Sequence, residues 1–295
     1  MNDTTSTPAA LPSVISATGL TKRYGKRSVV QSIDLRIPAG RIVGLIGPNG
    51  SGKTTTLQAL LGLIPFEGDV QVLGLDPRTQ RNALMQDVSF IADVAVLPRW
   101  LMVAQAIDFV QGVHPRFNRT KAERLIAHTK LTPKMRVKEM SKGMVAQLHL
   151  ALVMAIDARL LVLDEPTLGL DILVRKQFFQ HLLEDYFDQQ KTILITTHQV
   201  EEVEQVLTDA VFMQDGKITL SASLDELATR FLEVLVSPEH TAAAIALQPL
   251  TQRAVFGKTL MTFEGVPATQ LEGLGEVRSA TLTDIFVAKM QGGAQ

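Results

Sequence analysis

The chain has 295 residues, of which 46% are hydrophobic and 5% aromatic, and its formal net charge is −1 at pH 7. This length allows one large domain or two smaller ones, each with a buried core. The balanced charge gives no basic field that would attract nucleic acid, so no nucleic-acid partner is expected. The sequence contains no cysteine, which excludes a disulfide framework, thiol catalysis and cysteine-ligated zinc.

Residues 1–12 are polar and have neither the basic start nor the apolar centre of a secretory signal, so we expect a flexible tail there. No stretch of the sequence reaches the roughly eighteen uncharged apolar residues that a membrane-spanning helix needs. If the protein works at a membrane, we expect another chain to span it.

Strands and helices are predicted to alternate from about Ser13 onward. The segments SVISATGL and SIDLRIP are typical of edge strands. The apolar segment GRIVGLIG predicts a buried strand, and KTTTLQALLGLI after it has helical spacing. RLLVLDEP and KTILITTH predict two further buried strands. Uninterrupted apolar strands are typical of a parallel sheet covered on both faces, so the predicted fold class is α/β.

Helical patterns dominate between residues 81 and 157, which predicts a helical insertion in the α/β core. One of these helices, TKAERLIAHTKL, begins with Thr120 and Glu123 in the spacing of a capping box. MQDGKI contains the Asp-Gly pair of a hairpin turn. FLEVLVSPEH, KTLMTFEG and TLTDIFVAKM predict a small C-terminal α+β domain over residues 230–295.

The segment GPNGSGKTT fits the phosphate-binding pattern GxxxxGK[ST] between a predicted strand and a predicted helix. Glycines allow backbone N–H groups to surround phosphate oxygens, lysine adds positive charge, and the following hydroxyl suits Mg²⁺. A glycine-rich turn that only caps a helix is the other interpretation. The predicted nucleotide-binding residues of this loop are Gly47, Pro48, Asn49, Gly50, Ser51, Gly52, Lys53, Thr54 and Thr55.

Acidic and histidine side chains follow the other two buried strands. In LLVLDEP, Asp164 is predicted as a Mg²⁺ ligand together with Thr54, and Glu165 as the general base that activates water. An Asp-Glu pair after a strand can also be a solvated loop start. His198 in ITTHQVEE either caps the next helix or donates a hydrogen bond to a γ-phosphate at the carboxyl edge of the sheet.

In this order, the motifs from about Ser13 to Leu227 resemble the ATP-binding cassette family, and specifically the nucleotide-binding subunits of ABC transporters. The resemblance implies a P-loop cassette over residues 13–227, with an antiparallel β subdomain and a helical subdomain at about 81–157. It implies ATP and Mg²⁺ as cofactors and ATP hydrolysis as the reaction. Lys53, Glu165 and His198 match the family's catalytic residues.

Four further residues take roles from the same resemblance. Tyr24 in TKRYG matches the aromatic that stacks on adenine, although a half-buried surface aromatic is the other interpretation. Asp171 in TLGLD matches an aspartate that acts across a dimer. Ser141 and Gly143 in SKGM match the signature LSGGQ in a variant form. In the family this signature covers the γ-phosphate bound by the other protomer, although Ser141 is also a good helix cap.

The predicted partners follow from that signature. It implies a head-to-tail dimer with a second copy of this chain or a similar cassette. A separately encoded membrane-spanning permease is the other implied partner, which would place the protein on the cytoplasmic face of the cell membrane. The signature variant and the C-terminal segment TLTDIFVAKM resemble ABC-2-type exporters, which favours export.

Two features bear on contact with that permease. Asp93 stands where most family members have a glutamine, and its carboxylate can reach Mg²⁺ but cannot donate an amide hydrogen bond. Trp100 lies within the segment VAVLPRWLMVAQ, which in the family lines the groove that receives a short helix of the membrane subunit. Ordinary core packing is the other interpretation. The apolar neighbours of Trp100 in this segment are Val96, Leu97, Leu101 and Met102.

Two other functions are left open by the motifs. A soluble ABC ATPase acting on ribosomes or nucleic acid needs no permease, but it usually carries a second cassette or a long coiled-coil insertion. A P-loop GTPase or kinase is the third candidate, and the sequence has no NKxD-type guanine motif.

Overall fold

The structure is a computed structural model that describes residues 12–92, 97–188 and 190–292. The predicted tail up to residue 11, and Asp93 and Val96, lie outside these ranges. The strands of the described residues are β1 (Ser13–Tyr24), β2 (Arg27–Pro38), β3 (Ile42–Ile46), β4 (Glu67–Val72), β5 (Val88–Ile91), β6 (Leu160–Asp164), β7 (Thr192–Thr197), β8 (Asp209–Gln214), β9 (Lys217–Ser223), β10 (Phe231–Val236), β11 (Thr251–Val255), β12 (Lys258–Glu264) and β13 (Gly275–Ser279).

The helices are named in the same way, in chain order. They are α1 (Lys53–Leu60), α2 (Arg81–Leu84), α3 (Val103–Val113), α4 (Arg119–Ala127), α5 (Lys142–Met154), α6 (Ile172–His181), α7 (Val200–Val203), α8 (Leu224–Arg230), α9 (Thr241–Ala246), α10 (Ala268–Leu271) and α11 (Leu282–Gly292). Within the described ranges, none of the helices has both the length and the apolarity that crossing a bilayer requires.

The chain divides into two compact units. Unit 1 comprises Met1–Arg41 and Thr54–Ile195, and unit 2 comprises Ile42–Lys53 and Thr196–Gln295. The chain passes between the units three times, just before β3, at the start of α1 and inside β7. The cassette over residues 13–227 and the separate domain over residues 230–295 stay predictions.

One sheet of unit 1 is antiparallel, with strand order β2-β1-β4. Its first two strands are the ones predicted from SVISATGL and SIDLRIP. The prediction that both lie at edges is wrong for β1, because β4 pairs with its free side. Hydrophobicity does not predict β4, because its sequence EGDVQV is mostly polar. In the structure, four of its six residues are at least partly exposed.

The buried strands of unit 1 follow the order β5-β6-β7. β5 and β6 pair in parallel, with Val88 opposite Leu160. Every residue of β6 is buried, as is every residue of β7. Their uninterrupted apolar sequences therefore predicted the parallel sheet correctly.

Helices α3, α4 and α5 form the predicted helical region of unit 1, but the start of α4 differs from the prediction. Asn118 caps this helix by accepting a hydrogen bond from the Lys121 N–H at 2.9 Å. Thr120 lies within the helix, and Glu123 accepts from Arg119 Nε at 2.8 Å. The predicted capping box is wrong because asparagine is at least as good a cap as threonine and stands two residues earlier.

In unit 2, β3 pairs in parallel with β8, and β8 pairs antiparallel with β9. The predicted hairpin turn lies between β8 and β9, where Asp215 and Gly216 have φ of 48° and 78°. The end of β7 lies beside the end of β3, because the Gly47 N–H donates to the Thr197 carbonyl at 3.2 Å. The carboxyl ends of these two strands therefore meet at one edge.

Unit 2 also contains a four-stranded antiparallel sheet with the order β11-β12-β10-β13. The residues that form the apolar core on one of its faces are Leu232, Val234, Val236, Ala244, Met261, Phe263 and Leu271. Helix α11 packs against β12 and α7. The C-terminal region therefore has the predicted mixture of strands and helices.

Candidate functional site

The predicted phosphate loop of unit 2 connects β3 to α1. A Cβ atom on Gly47 would lie 2.2 Å from the Met213 carbonyl oxygen, so only glycine fits there. Gly52 has a φ of 108°, a conformation that other residues rarely adopt. The loop therefore needs glycine for its own fold at both positions.

The loop holds a buried positive charge. Lys53 is 6% exposed, and its Nζ donates to the carbonyl oxygens of Gly47 at 2.8 Å and Pro48 at 3.3 Å. A backbone hydrogen bond joins the loop to the hairpin after β8, where the Gly216 N–H donates to the Ser51 carbonyl at 2.9 Å. A compact glycine-rich loop with a lysine at a helix start is suited to binding an anion such as phosphate.

His198 directly follows β7 in unit 2, and the residue before it is hydrogen-bonded to the first glycine of this loop. Its neighbour Thr197 accepts the hydrogen bond from Gly47 described above, and the Gln199 N–H donates to Thr197 Oγ1 at 2.9 Å. These bonds fix the residues on both sides of His198. The structure thus brings His198 and the first glycine of the loop to the same strand edge, as the sequence predicted.

A hydroxyl and a carboxylate meet in unit 1 at the end of β6. Thr54 Oγ1 donates to Asp164 Oδ1 at 3.1 Å, and Asp164 is 1% exposed. Hydroxyl and carboxylate oxygens are the donors that Mg²⁺ prefers, so these two residues fit the ion. Among the described residues there is no group of three or more acidic, histidine or cysteine side chains that could together hold a metal ion. Mg²⁺ sites that substrate phosphates complete do not need such a group.

Glu165 has a strained backbone. Its φ is 47°, in the left-handed region, which costs a residue other than glycine about 1–3 kcal/mol. Such strain is concentrated at active sites, which favours a functional role for this position.

Glu165 lines a cleft of about 710 Å³ in unit 1. The ionisable residues of this cleft are Arg99, Lys142, His149, Asp164 and Glu165. Burial lowers the pKa of His149 below its ordinary value, so its imidazole is neutral at pH 7. Sequence reasoning missed His149, because a lone histidine in an apolar helix gives no signal of its surroundings.

The predicted signature residues lie at the start of α5. Ser141 caps this helix as predicted, and its Oγ accepts from the Met144 N–H at 3.3 Å. A Cβ on Gly143 would lie 3.5 Å from the nearest atom, on Val174, which is an ordinary contact. The fold of unit 1 therefore does not require glycine at this position, in contrast to Gly47.

Asp171 caps α6 and accepts hydrogen bonds from the N–H groups of Leu173 and Val174, each at 3.0 Å. The side chains of Leu168, Ile172 and Leu173 around it are 52%, 69% and 74% exposed. Large apolar side chains grouped on a surface often mark an interface. Sequence reasoning missed these three residues, although TLGLDIL places them around the predicted aspartate.

Two predicted aromatic residues are exposed in unit 1. Tyr24 is 51% exposed at the end of β1, with Lys22 Nζ 4.8 Å from its ring centroid. Trp100 is 67% exposed, so the interpretation of core packing is wrong for its side chain. On α3, Phe109 and Val113 are 66% and 63% exposed and were missed in the sequence, because they are spaced like ordinary helix residues.

Comparison with known proteins identifies the family. The family model described as ABC transporter matches residues 30–168. The daunorubicin resistance ATP-binding protein DrrA3 of Streptomyces coeruleorubidus is 31% identical over 248 residues, which cover 80% of this chain and 78% of that protein. The Nod factor export ATP-binding protein I of Rhizobium meliloti (strain 1021) is 29% identical and covers 96% and 90% of the two chains.

Solved structures have the same fold. The ATP-binding subunit of an ABC transporter superposes with a TM-score of 0.65 at 22% identity, covering 72% of this chain and 91% of that one. The ATP-binding cassette MJ1267, in its ADP conformation, gives a TM-score of 0.62 at 20% identity, with coverages of 73% and 92%. Taken with the phosphate loop and the Thr54–Asp164 pair, these similarities show that the chain belongs to the ABC transporter family, as an ATP-binding and ATP-hydrolysing subunit.

Proposed function

We propose that this subunit binds ATP with Mg²⁺ through the loop Gly47–Thr55 and hydrolyses it with Glu165 as general base. The observation that carries the proposal is the hydrogen bond from Thr54, the residue after the loop lysine, to the buried Asp164. Mg²⁺ bound by these two residues would neutralise charge on the phosphates. ATP supplies the other oxygen ligands.

Each residue of the proposed site has one role in the reaction. The loop N–H groups and Lys53 bind phosphate oxygens, and Tyr24 stacks on adenine. Glu165 accepts a proton from the attacking water, and His198 donates a hydrogen bond to a γ-phosphate oxygen. Asp93 is proposed to assist at Mg²⁺ or the water.

We also propose that two cassettes work as a head-to-tail dimer, made of two copies of this chain or of this chain and a similar one. Ser141 and Gly143 would contact the γ-phosphate of the partner's ATP, and Asp171 would act across the interface. The free space beside Gly143 supports this role. A side chain would fit there within the chain itself, and close approach of a bound phosphate gives a reason for glycine at this position. The exposed Leu168, Ile172 and Leu173 would be buried at the same interface.

The proposed second partner is a separately encoded membrane permease, which would hold the subunit on the cytoplasmic face of the membrane. Trp100, Phe109 and Val113 are exposed apolar residues that suit docking of a short permease helix. Relatives named for Nod factor export and daunorubicin resistance support export as the direction. No observation on the described residues favours a soluble ATPase that acts on ribosomes or nucleic acid.

Affinity purification from native membranes tests the proposed partner. The tagged chain should recover a multi-span membrane protein, and Trp100→Ala combined with Phe109→Ala should reduce that recovery several-fold while leaving ATPase activity of the isolated subunit intact. Val287→Ala, at an exposed apolar residue on α11, is the matched control. Failure to recover any multi-span protein, or a preference for GTP over ATP, would contradict the proposal.

A further inference from the structure

We infer that Glu204 is a positioning residue for His198. Through Glu204, the C-terminal helix α11 holds His198 in place and so sets the rate of ATP turnover. The inference rests on the proposed role of His198 in ATP hydrolysis and deepens it. It gives a function to the C-terminal region, whose sequence contains no catalytic motif of its own. All residues involved belong to unit 2.

The helix that follows His198, α7, is too short to be stable without packing against other elements. The backbone of His198 lies between Thr197, the last residue of β7, and α7, which has only four residues. A single helical turn is not stable in isolation, because its nucleation is unfavourable. The position of α7, and with it the direction of the chain leaving His198, is therefore set by the groups that pack on α7.

Helix α11 provides the polar part of that packing. The Leu282 N–H, at the first position of α11, donates to Glu204 Oε1 at 2.7 Å. This N–H has no acceptor within its own helix, and the positive end of the helix dipole favours a carboxylate at this place. Glu204 directly follows α7, so a charge-assisted hydrogen bond joins the end of α7 to the start of α11.

Both helices also have buried apolar side chains. Val200 and Val203 of α7 are buried, as are Leu282 and Ile285 of α11. Because α7 and α11 pack against each other, we expect these buried side chains to set the distance between the helices and the Glu204 hydrogen bond to set their register.

Helix α11 also contacts a buried strand of unit 2. The ring of Phe286 makes an edge-to-face contact with that of Phe212 in β8, with 5.2 Å between the centroids. Phe212 is fully buried, and β8 pairs in parallel with β3, the strand that leads into the phosphate loop. Helix α11 thus contacts both the strand beside the loop and the helix after His198, and it can hold the two in a fixed arrangement.

Substitution of Glu204 should affect the chemical step selectively. Glu204→Ala should lower kcat for ATP roughly fivefold, because a small displacement of a catalytic group slows a reaction strongly, while KM for ATP changes by less than about twofold. Glu204→Gln should retain most of the activity, because its amide oxygen still accepts from Leu282. Glu201→Ala, at an exposed position on α7, is the matched control and should leave kcat unchanged.

A double-mutant cycle in the full-length chain tests whether Glu204 acts through His198. The combined variant His198→Ala with Glu204→Ala should have the kcat of His198→Ala alone. A further fivefold loss in that background, or a normal kcat in Glu204→Ala while His198→Ala is impaired, would overturn the inference. An unchanged kcat in His198→Ala would instead contradict the proposed role of His198 and, with it, this inference.

Thermal unfolding of each variant separates positioning from stability. If Glu204→Ala does not fold, Glu204→Asp serves in its place, because it keeps the charge but retracts the carboxylate by one methylene. We expect Glu204→Asp to lose kcat with an unfolding temperature close to that of the unchanged protein. A normal kcat in this variant would overturn the inference.

Discussion

Two glycines of the proposed site carry different kinds of constraint. Gly47 is required by the fold, because a side chain there would collide with the Met213 carbonyl oxygen. Gly143 has room for a methyl group, so the packing of unit 1 does not explain why glycine stands there. The sequence predicted both positions from motifs, but it could not separate these two reasons, since the distances to neighbouring atoms appear only in the folded chain.

Glu165→Gln should nearly abolish ATP turnover and leave ATP binding intact. The substitution keeps the shape of the side chain but removes the base, and general-base assistance is worth about a hundredfold to ten-thousandfold in rate. The measurements are steady-state ATPase activity and the equilibrium affinity for ATP. Glu139→Gln, at an exposed glutamate before α5, should behave like the unchanged protein, and ATPase activity of Glu165→Gln within tenfold of normal would contradict the assignment.

Helix α5 shows how one element serves fold and function together. Ser141 satisfies a free N–H of the first turn, as its type predicts, and the rest of the helix supplies buried leucines to unit 1. The sequence could predict this helix and its cap, because both depend on local pattern. It could not predict that His149, two turns along, lines the same cleft as Glu165, because that depends on how α5 packs.

Ser141→Ala combined with Gly143→Asp should suppress ATPase activity while ATP still binds the monomer. Loss of the cap alone costs about 0.5–2 kcal/mol of stability, and the new carboxylate would repel a partner's γ-phosphate. Gly143→Ala is the steric control, since its added methyl group makes only ordinary contacts within the chain. It should unfold at the normal temperature, and unaffected hydrolysis in the double variant would show that the signature assignment is wrong.

The elements that were predicted correctly are determined by local sequence patterns, whereas those predicted incorrectly depend on contacts made in the folded chain. Strands β3, β6 and β7 were predicted because a continuous apolar sequence indicates a buried strand. Strand β4 was missed, because its register on β1 is set by a partner about fifty residues away. The capping residue of α4 was misplaced by two positions, because Asn118 and Thr120 satisfy the same local rule and only the folded chain selects one of them.

At the scale of the whole molecule, the surface carries apolar groups that unit 1 leaves exposed. One group surrounds Asp171, and another includes Trp100 and Phe109. We propose a second cassette for the first group and a permease for the second. Family resemblance predicted both partners from the sequence, but the residues that would form the contacts could be identified only from their exposure in the structure.

The central claim is that ATP is sandwiched between two cassettes, and for a dimer of identical chains the Glu165→Gln variant tests it most directly. With hydrolysis blocked, ATP and Mg²⁺ should hold the two copies together, so light scattering should give twice the monomer mass. ADP, or ATP without Mg²⁺, should leave the monomer mass unchanged. A variant that binds ATP but keeps the monomer mass when Mg²⁺ is present would contradict the claim.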